Sequence, residues 1–271
     1  MMYWKLTTTK LMRLGLPVAA LFCLTGCSGN WGWYVISPTT DQGMINIRFL
    51  LGGLKFTILL SVTAIVVAIV LGLLIALPGI SKNKFAKGIN WTYVELIRAI
   101  PLLVMILWVY YGLPQVAGIS IGVFSAGVLA LAISDSAFQA EIFRAGIQSI
   151  DRGQIEAADA LGLTYFQRMR FIVLPQAIRR ILPPLGNQLI YMLKMSSLIS
   201  VIGMQELTRR ANELVVTEYR PLEIYTFLVL EYLVLILIVS AGYDGWNGIS
   251  PLMKTRRALT RIRNPGSKLI H

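Results

Sequence analysis

Charged residues, histidine and cysteine are scarce in this chain, and each shortage excludes a class of protein. Only 14% of the 271 residues are charged, whereas soluble domains carry roughly 25%. One histidine, His271, and two cysteines, Cys23 and Cys27, do not suffice for a His/Cys metal site. The sequence also lacks a G-x-x-x-x-G-K-[ST] phosphate-binding loop, so we expect no cofactor in this chain.

The chain is rich in long, continuous hydrophobic runs. Hydrophobic residues make up 56% of it, and several runs reach the roughly 20 residues that a helix needs to cross a bilayer core. Because the runs do not alternate with polar residues, they predict helices and not barrel strands. The sequence therefore predicts an all-α, polytopic transmembrane helical bundle. Its five core spans are expected at about 49–77, 91–113, 123–143, 185–203 and 224–242.

The basic residues lie mainly in the loops between these spans and in the tail. The net charge of +12 is thereby explained by the positive-inside rule, and nucleic acid is not an expected partner. This pattern places the loop at about 148–182 and the tail at 243–271 in the cytoplasm. It also places the start of the core outside. The tail is expected to begin with a turn-rich, polar stretch and then to contact anionic membrane lipid.

The N-terminal segment, residues 1–47, has two interpretations that the sequence leaves open. It is either an extra span that extends through Trp31–Tyr34, followed by an external linker, or a cleaved secretory signal. In the second case Leu24–Cys27 resembles a bacterial lipobox, and Cys27 would carry a lipid. Residues 48–242 are predicted to form the transmembrane domain, and residues 243–271 the tail.

The cytoplasmic loop contains signals for a pair of short helices. Asp151–Gln154 and Thr164–Gln167 both fit a capping box, in which the first side chain and the fourth satisfy each other's backbone N–H groups. Gly162 tolerates the left-handed conformation that ends a helix. Since Leu174 precedes Pro175, the second helix is expected to end near residue 173.

The first of these helices carries an unusual surface. Ala157 and Ala158 are expected to form a low-profile patch that a neighbouring protein grips, and Glu156 lies near the positive end of the helix dipole. A soluble-looking hairpin between membrane spans predicts a docking surface for a cytoplasmic partner.

The spacing of this hairpin resembles the EAA loop of type I ABC importer permeases, with Glu156, Ala157, Ala158, Gly162 and Pro175 at matching positions. Further stretches resemble the polar amino acid subfamily of these permeases. They are Arg98–Leu103, Tyr110–Pro114, Ala140–Ile147, Lys194 with Ser196–Leu198, and Val201–Thr208. The resemblance covers about residues 48–242 and stops after Gly242.

The resemblance implies a MetI-like fold and a permease subunit in the bacterial inner membrane that passes polar amino acids inward. It implies three kinds of partner: cytoplasmic ABC ATPase subunits, a second identical or homologous permease, and a periplasmic or lipid-anchored amino-acid-binding protein. ATP would be used by the ATPase partner, and this chain would be non-catalytic. The five matching loop residues would form the coupling element. The alternatives are a stand-alone secondary transporter or channel, and a scaffold that uses the loop only for docking.

Three charged residues inside the predicted spans are candidates for the substrate pathway. They are Asp135, Lys194 and Glu231, and such residues usually face a bundle interior or a wet cavity. Lys194 is expected to pair with Glu231 or with a substrate carboxylate. Asp135 is expected to form a helix–helix hydrogen bond or to attract a substrate amino group. Two further pairs, Glu95 with Arg98 and Glu141 with Arg144, are predicted to be i,i+3 ion pairs.

Overall fold

The computed structural model describes residues 31–81 and 83–249. The extra span or cleaved signal, the lipidation at Cys27 and the basic tail after residue 249 therefore lie outside the described residues. Within the described ranges the chain is helical and contains no strand, as predicted.

The helices of the described chain are numbered α1 to α11 in chain order. They are α1 (Asp41–Leu51), α2 (Leu54–Ile80), α3 (Lys84–Ala99), α4 (Leu102–Leu107), α5 (Leu113–Ala117), α6 (Val123–Gln148), α7 (Arg152–Ala160), α8 (Tyr165–Arg168), α9 (Leu174–Met195), α10 (Leu207–Glu218) and α11 (Pro221–Ile249). Short 3₁₀ segments occur at Trp33–Ile36 and Ser196–Ile202, and single π turns at Trp108–Gly112 and Met169–Val173.

The long apolar helices confirm the prediction of a five-span bundle, with one span broken. In the described residues, four segments are long and apolar enough to cross a membrane, namely Asp41–Ile80, Val123–Gln148, Tyr165–Ile202 and Pro221–Tyr243. The fifth is the pair Lys84–Ala99 and Leu102–Ala117, which bends by 95°.

The bend corrects the prediction of a single uninterrupted second span at 91–113. Pro101 has no N–H to donate, and its ring disfavours helical backbone at the preceding residue. Ile100 is accordingly extended, with φ −83° and ψ 123°, and Pro101 is the N-cap residue of α4. The chain turns at this point instead of continuing straight.

Small residues hold α2 and α6 in close contact at the centre of the bundle. A Cβ added at Gly72 would lie 2.4 Å from Cβ of Gln139 and 3.0 Å from the carbonyl oxygen of Ser136. Ala126 and Ala130 on α6 are fully buried in the central apolar cluster. Small side chains let two membrane helices approach closely, so this pair forms the core of the fold.

The chain before α1 packs against the end of the bundle that the charge pattern places outside. Val35 is fully buried in a second apolar cluster with residues of α10 and α11. The N–H of Gly32 donates a hydrogen bond of 2.6 Å to the carboxylate of Glu223. Nearby, buried Glu206 caps α10 by accepting a 2.7 Å bond from the N–H of Arg209, and burial raises the pKa of this carboxyl. The division at residue 47 thus falls inside α1 and stays a prediction.

The last helix extends beyond the predicted end of the fifth span. The expected turn-rich stretch at 243–248 is wrong, because α11 continues as helix to Ile249. The hydroxyl of Tyr243 donates a 2.6 Å hydrogen bond to the carbonyl of Pro183 on α9, and this contact supports the helix beyond Gly242. Glycine lowers helix propensity by only about 1 kcal/mol, and tertiary contacts outweigh that preference.

Substitution of Gly72 by alanine is expected to destabilise the protein by about 1–3 kcal/mol, because the added methyl group overpacks the α2–α6 contact. Gly88→Ala is the matched control, since it lies inside α3 with nothing within 4 Å of the added Cβ. Thermal unfolding of both variants in detergent measures the difference. Equal unfolding temperatures for the two variants would contradict the packing described here.

Candidate coupling site

The cytoplasmic hairpin begins with α7, whose two ends are fixed by local hydrogen bonds. The carboxylate of Asp151 accepts a 2.7 Å bond from the N–H of Gly153. At the other end Gly162 has φ +72°, its N–H donates to the carbonyl of Asp159, and the N–H of Leu163 donates to the carbonyl of Ala158. These two bonds form a Schellman motif, which confirms the predicted turn.

The first capping box is only half present. Asp151 caps the helix as predicted, but the amide of Gln154 does not return to the N–H of Asp151. Its oxygen instead accepts a bond of 3.4 Å from the side chain of Gln176 on α9. The second box is complete: Thr164 and Gln167 satisfy each other's backbone N–H groups at 3.4 and 2.9 Å.

The expected end of the second helix near residue 173 is wrong. After α8 the chain forms the π turn Met169–Val173, and α9 follows directly with Pro175 in its first turn. Proline is tolerated there because its missing N–H is not needed, and the wider π turn absorbs the mismatch with the preceding helix. The second arm of the hairpin and the fourth span are therefore one continuous helical segment, Tyr165–Ile202.

The residues of α7 that match the EAA loop divide between two faces. Glu156 and Ala157 are exposed, whereas Ala158 is only 2% exposed. The expectation of an open patch made by both alanines is thus correct for Ala157 alone. Ala158 is small because α7 packs closely on the π turn Met169–Val173.

The hairpin tip exposes large apolar side chains that the sequence analysis missed. Leu161 is 78% exposed, and Tyr165 and Phe166 are exposed to a similar extent. A salt bridge between Asp159 and Arg168 joins α7 to α8 beneath them. The sequence did contain a signal for this surface, because large apolar residues occur within a charged loop. Exposed apolar clusters of this kind mark interaction sites.

The base of the hairpin is anchored in the apolar cluster at the cytoplasmic end of the bundle. Ile150, Val173 and Ala177 are buried in this cluster together with side chains of α2, α3 and α6. The guanidinium of Arg180 also donates to the carbonyl of Ser149, across the base. The base of the hairpin is therefore packed into the same close-packed cluster as α6 and α9.

Asp135 lies in a buried polar cluster between α6 and α9. Its carboxylate accepts hydrogen bonds from the amide of Gln139 at 2.8 Å and from the amide of Gln188 on α9. The predicted helix–helix hydrogen bond is thus present. The sequence analysis missed both glutamines, although Gln139 is four residues from Asp135 and lies on the same helix face.

Lys194 and Glu231 do not meet. Lys194 is exposed in the last turn of α9, and the carboxylate oxygens of Glu231 are buried within α11. Neither side chain has a hydrogen-bond or ion-pair partner in the part of the chain that the structure describes. The expected pairing of these two residues is therefore wrong.

The two predicted surface ion pairs have different outcomes. Arg144 binds Glu141 through two hydrogen bonds, of 2.6 and 3.0 Å, as predicted. Glu95 and Arg98 form no ion pair among the described residues, and the guanidinium of Arg98 lies over the ring of Phe138 at 5.1 Å. A flat guanidinium stacks well on an aromatic face, and here the ring takes the place of the carboxylate.

The fold and the site together define the permease class of ABC importers. The defining features are the five-span bundle, the cytoplasmic hairpin whose base is buried in it, and the EAA spacing. The profile of the family described as "Binding-protein-dependent transport system inner membrane component" matches residues 68–247. The chain belongs to this family and is a multi-pass membrane component of a transport system. The match extends past Gly242, where the resemblance was expected to stop.

Individual relatives agree with the family. The chain is 42% identical over 199 residues to the probable glutamine ABC transporter permease protein GlnM of Bacillus subtilis, covering 73% of this chain and 92% of that protein. It is 39% identical over 194 residues to the arginine transport system permease protein ArtQ of Bacillus subtilis, covering 72% and 89%.

A solved structure described as an amino acid ABC transporter with histidines aligns with a TM-score of 0.70 at 44% identity, covering 74% of this chain and 94% of that chain. This likeness confirms the predicted permease fold.

Substitution of Gly162 by alanine is expected to weaken the hairpin by about 1–2 kcal/mol, because an L-residue other than glycine resists the left-handed conformation. Gly162→Asn is the matched control, since asparagine adopts this conformation more readily and nothing lies within 4 Å of the added Cβ. Hydrogen exchange at the Leu163 amide reports the change. The same exchange rate in both variants would show that backbone conformation does not determine the turn.

Proposed function

We propose that this chain is the permease subunit of an ABC importer for polar amino acids in a bacterial inner membrane. Relatives named as glutamine and arginine permeases, each at about 40% identity over most of their length, support this cargo class. In this function the chain is non-catalytic and forms the route across the membrane, and a partner subunit hydrolyses ATP. A stand-alone secondary transporter is not supported, because the family is described as a component of binding-protein-dependent transport systems and the relatives are named as permease proteins of such systems.

The main support for the proposal is a hairpin whose base is buried in the bundle and whose tip is exposed. Glu156 and Ala157 lie on the open face of α7, and Leu161 and Phe166 project from the turn. We place this surface in a cleft of a cytoplasmic ABC ATPase, where Gly162 sets the turn, Ala158 lets α7 pack on the π turn Met169–Val173, and Pro175 lies in the first turn of α9. Closure of the ATPase pair around ATP then moves the hairpin, and the buried base passes the movement to α6 and α9.

Two further partners belong to the proposal. A second permease, identical or homologous, completes the pathway. An amino-acid-binding protein, periplasmic or lipid-anchored, delivers cargo to the outer end.

Charge reversal at Glu156 is expected to reduce ATP-dependent amino acid uptake at least about tenfold, because a lysine there opposes the helix dipole and the fit to the ATPase. Membrane abundance should stay near that of the unaltered protein. Asp41→Lys makes the same charge change at the opposite end of the bundle and serves as the control. Uptake and co-purification of the ATPase are measured in proteoliposomes and by affinity capture. Normal uptake by Glu156→Lys would contradict the coupling role.

We also propose that Asp135, Lys194 and Glu231 contribute to the route of the cargo. Asp135 and Glu231 are acidic groups within spans, and Lys194 is an exposed cation beside the 3₁₀ segment Ser196–Ile202. A charged group inside a span costs about 2.5–3.5 kcal/mol on insertion, which favours a functional reason for its presence.

Lys194→Ala is expected to lower uptake several-fold more than it lowers the amount of protein in the membrane. The reason is that an exposed, unpaired cation contributes little to packing. Lys84→Ala, an exposed lysine of the first turn of α3, should change neither quantity. Uptake normalised to membrane abundance is the measurement, and a proportional loss of both in Lys194→Ala would assign that residue to the fold alone.

A further inference from the structure

A cavity of about 350 Å³ lies between α3 and the last turns of α6. This size falls within the range of small-molecule sites, roughly 300–1,000 Å³. It lies at the end of the bundle that the charge pattern places in the cytoplasm. None of the three pathway candidates, Asp135, Lys194 and Glu231, lines it.

Both walls of the cavity are charged. One wall is a single face of α3, formed by Lys87, Trp91, Glu95 and Arg98, which recur every three or four residues. The other wall is the end of α6, where Glu141, Arg144 and Gln148 share a face in the same way.

The wall on α6 is closed by its own hydrogen bonds. Arg144 binds Glu141 at 2.6 and 3.0 Å and donates to the side-chain oxygen of Gln148 at 2.8 Å. The charges of this wall are therefore paired within the protein, which leaves recognition to the wall on α3.

The wall on α3 holds two charges of opposite sign that form no ion pair with each other. Glu95 makes no hydrogen bond or ion pair with any described residue. Arg98 lies over the ring of Phe138 and attracts Glu141 on the other wall electrostatically, without an ion-pair contact. Side chains three residues apart on a helix are neighbours, so these two groups would pair readily if nothing else were to be bound. Their separation leaves an acceptor and a forked donor facing one cavity.

An α-amino acid carries an ammonium and a carboxylate on one carbon, and this wall presents the complementary pair. We infer that the cavity is an inner binding site for the zwitterionic backbone of the cargo. Arg98, assisted by Lys87, binds the carboxylate, and Glu95 binds the ammonium. The side chain of the cargo occupies the remaining volume. The inference rests on the proposed function, because it takes the cargo to be an α-amino acid.

The alternative occupant, a phospholipid headgroup, fits the surface less well. The acyl chains of a lipid need apolar surface next to the charged groups. Three exposed apolar residues of α3, Phe85, Ile89 and Leu96, lie on a different face of the helix from Lys87 and Arg98, whereas Trp91 is exposed on the charged face itself. The charged face therefore offers acyl chains one large exposed apolar side chain, and the other three point elsewhere.

Direct binding to the full-length chain in nanodiscs tests the site. The probes are tritiated L-glutamine and L-arginine, and the competitors are glutaminamide, which lacks the carboxylate, and 4-carbamoylbutanoic acid, which lacks the ammonium. Arg98→Gln should weaken glutamine binding at least about tenfold and abolish the preference for glutamine over glutaminamide. Glu95→Gln should abolish the preference over 4-carbamoylbutanoic acid. Lys84→Gln, on the same helix but outside the cavity, should bind as the unaltered chain does.

Three results would overturn the inference: no binding of either probe to the unaltered chain, unchanged preferences in both variants, or loss of co-purifying phospholipid from Arg98→Gln with amino acid binding intact. The last result would assign the cavity to lipid. ATP-dependent uptake by the unaltered complex is measured alongside. Absent uptake of every amino acid counts against the proposed function, whereas normal uptake with no change in binding counts against this site alone.

Discussion

Helices α2 and α6 approach closely because small residues line their contact, and the other helices are arranged around this pair. Gly72 leaves room for Gln139, and Ala126 and Ala130 are buried without a bulky side chain. In a bilayer, packing of this kind replaces the hydrophobic effect as the force that joins helices. Since α6 ends at the apolar cluster at the cytoplasmic end of the bundle, the α2–α6 contact also positions the cluster that holds the base of the hairpin.

The hairpin connects an exposed tip, which carries Leu161, Tyr165 and Phe166, to that apolar cluster. Its tip is exposed at Leu161, and its base is buried at Ile150 and Val173. Because α9 continues directly from the π turn after α8, the hairpin and the fourth span form one mechanical unit. The cavity beside α3 borders the same cluster, because Val94 belongs to both. Under the proposed function, a movement of the hairpin would therefore reach both the pathway and the inferred inner site.

The parts of this structure that local rules determine were predictable, and the parts that tertiary contacts determine were not. Apolar runs placed the five spans, and the left-handed turn at Gly162 followed from glycine and its neighbours. The consequences of proline differed with context: Pro101 bends its span, whereas Pro175 sits harmlessly in a first helical turn. The predicted ion pair between Glu95 and Arg98 also failed, although their spacing on the helix allows it. The guanidinium of Arg98 lies instead over the ring of Phe138, which belongs to another helix.

The central claim is that the hairpin moves with its base as a rigid unit. Spin labels at Ala157, on the hairpin, and at Ser125, an exposed residue at the opposite end of α6, test this by electron–electron double resonance in the complete complex, with and without bound ATP. Cys23 and Cys27 are first replaced by serine. The account predicts the same distance distribution in both states. A distance that changes when ATP binds would show that the hairpin swings on a flexible base, and would contradict the transmission of force through the buried cluster.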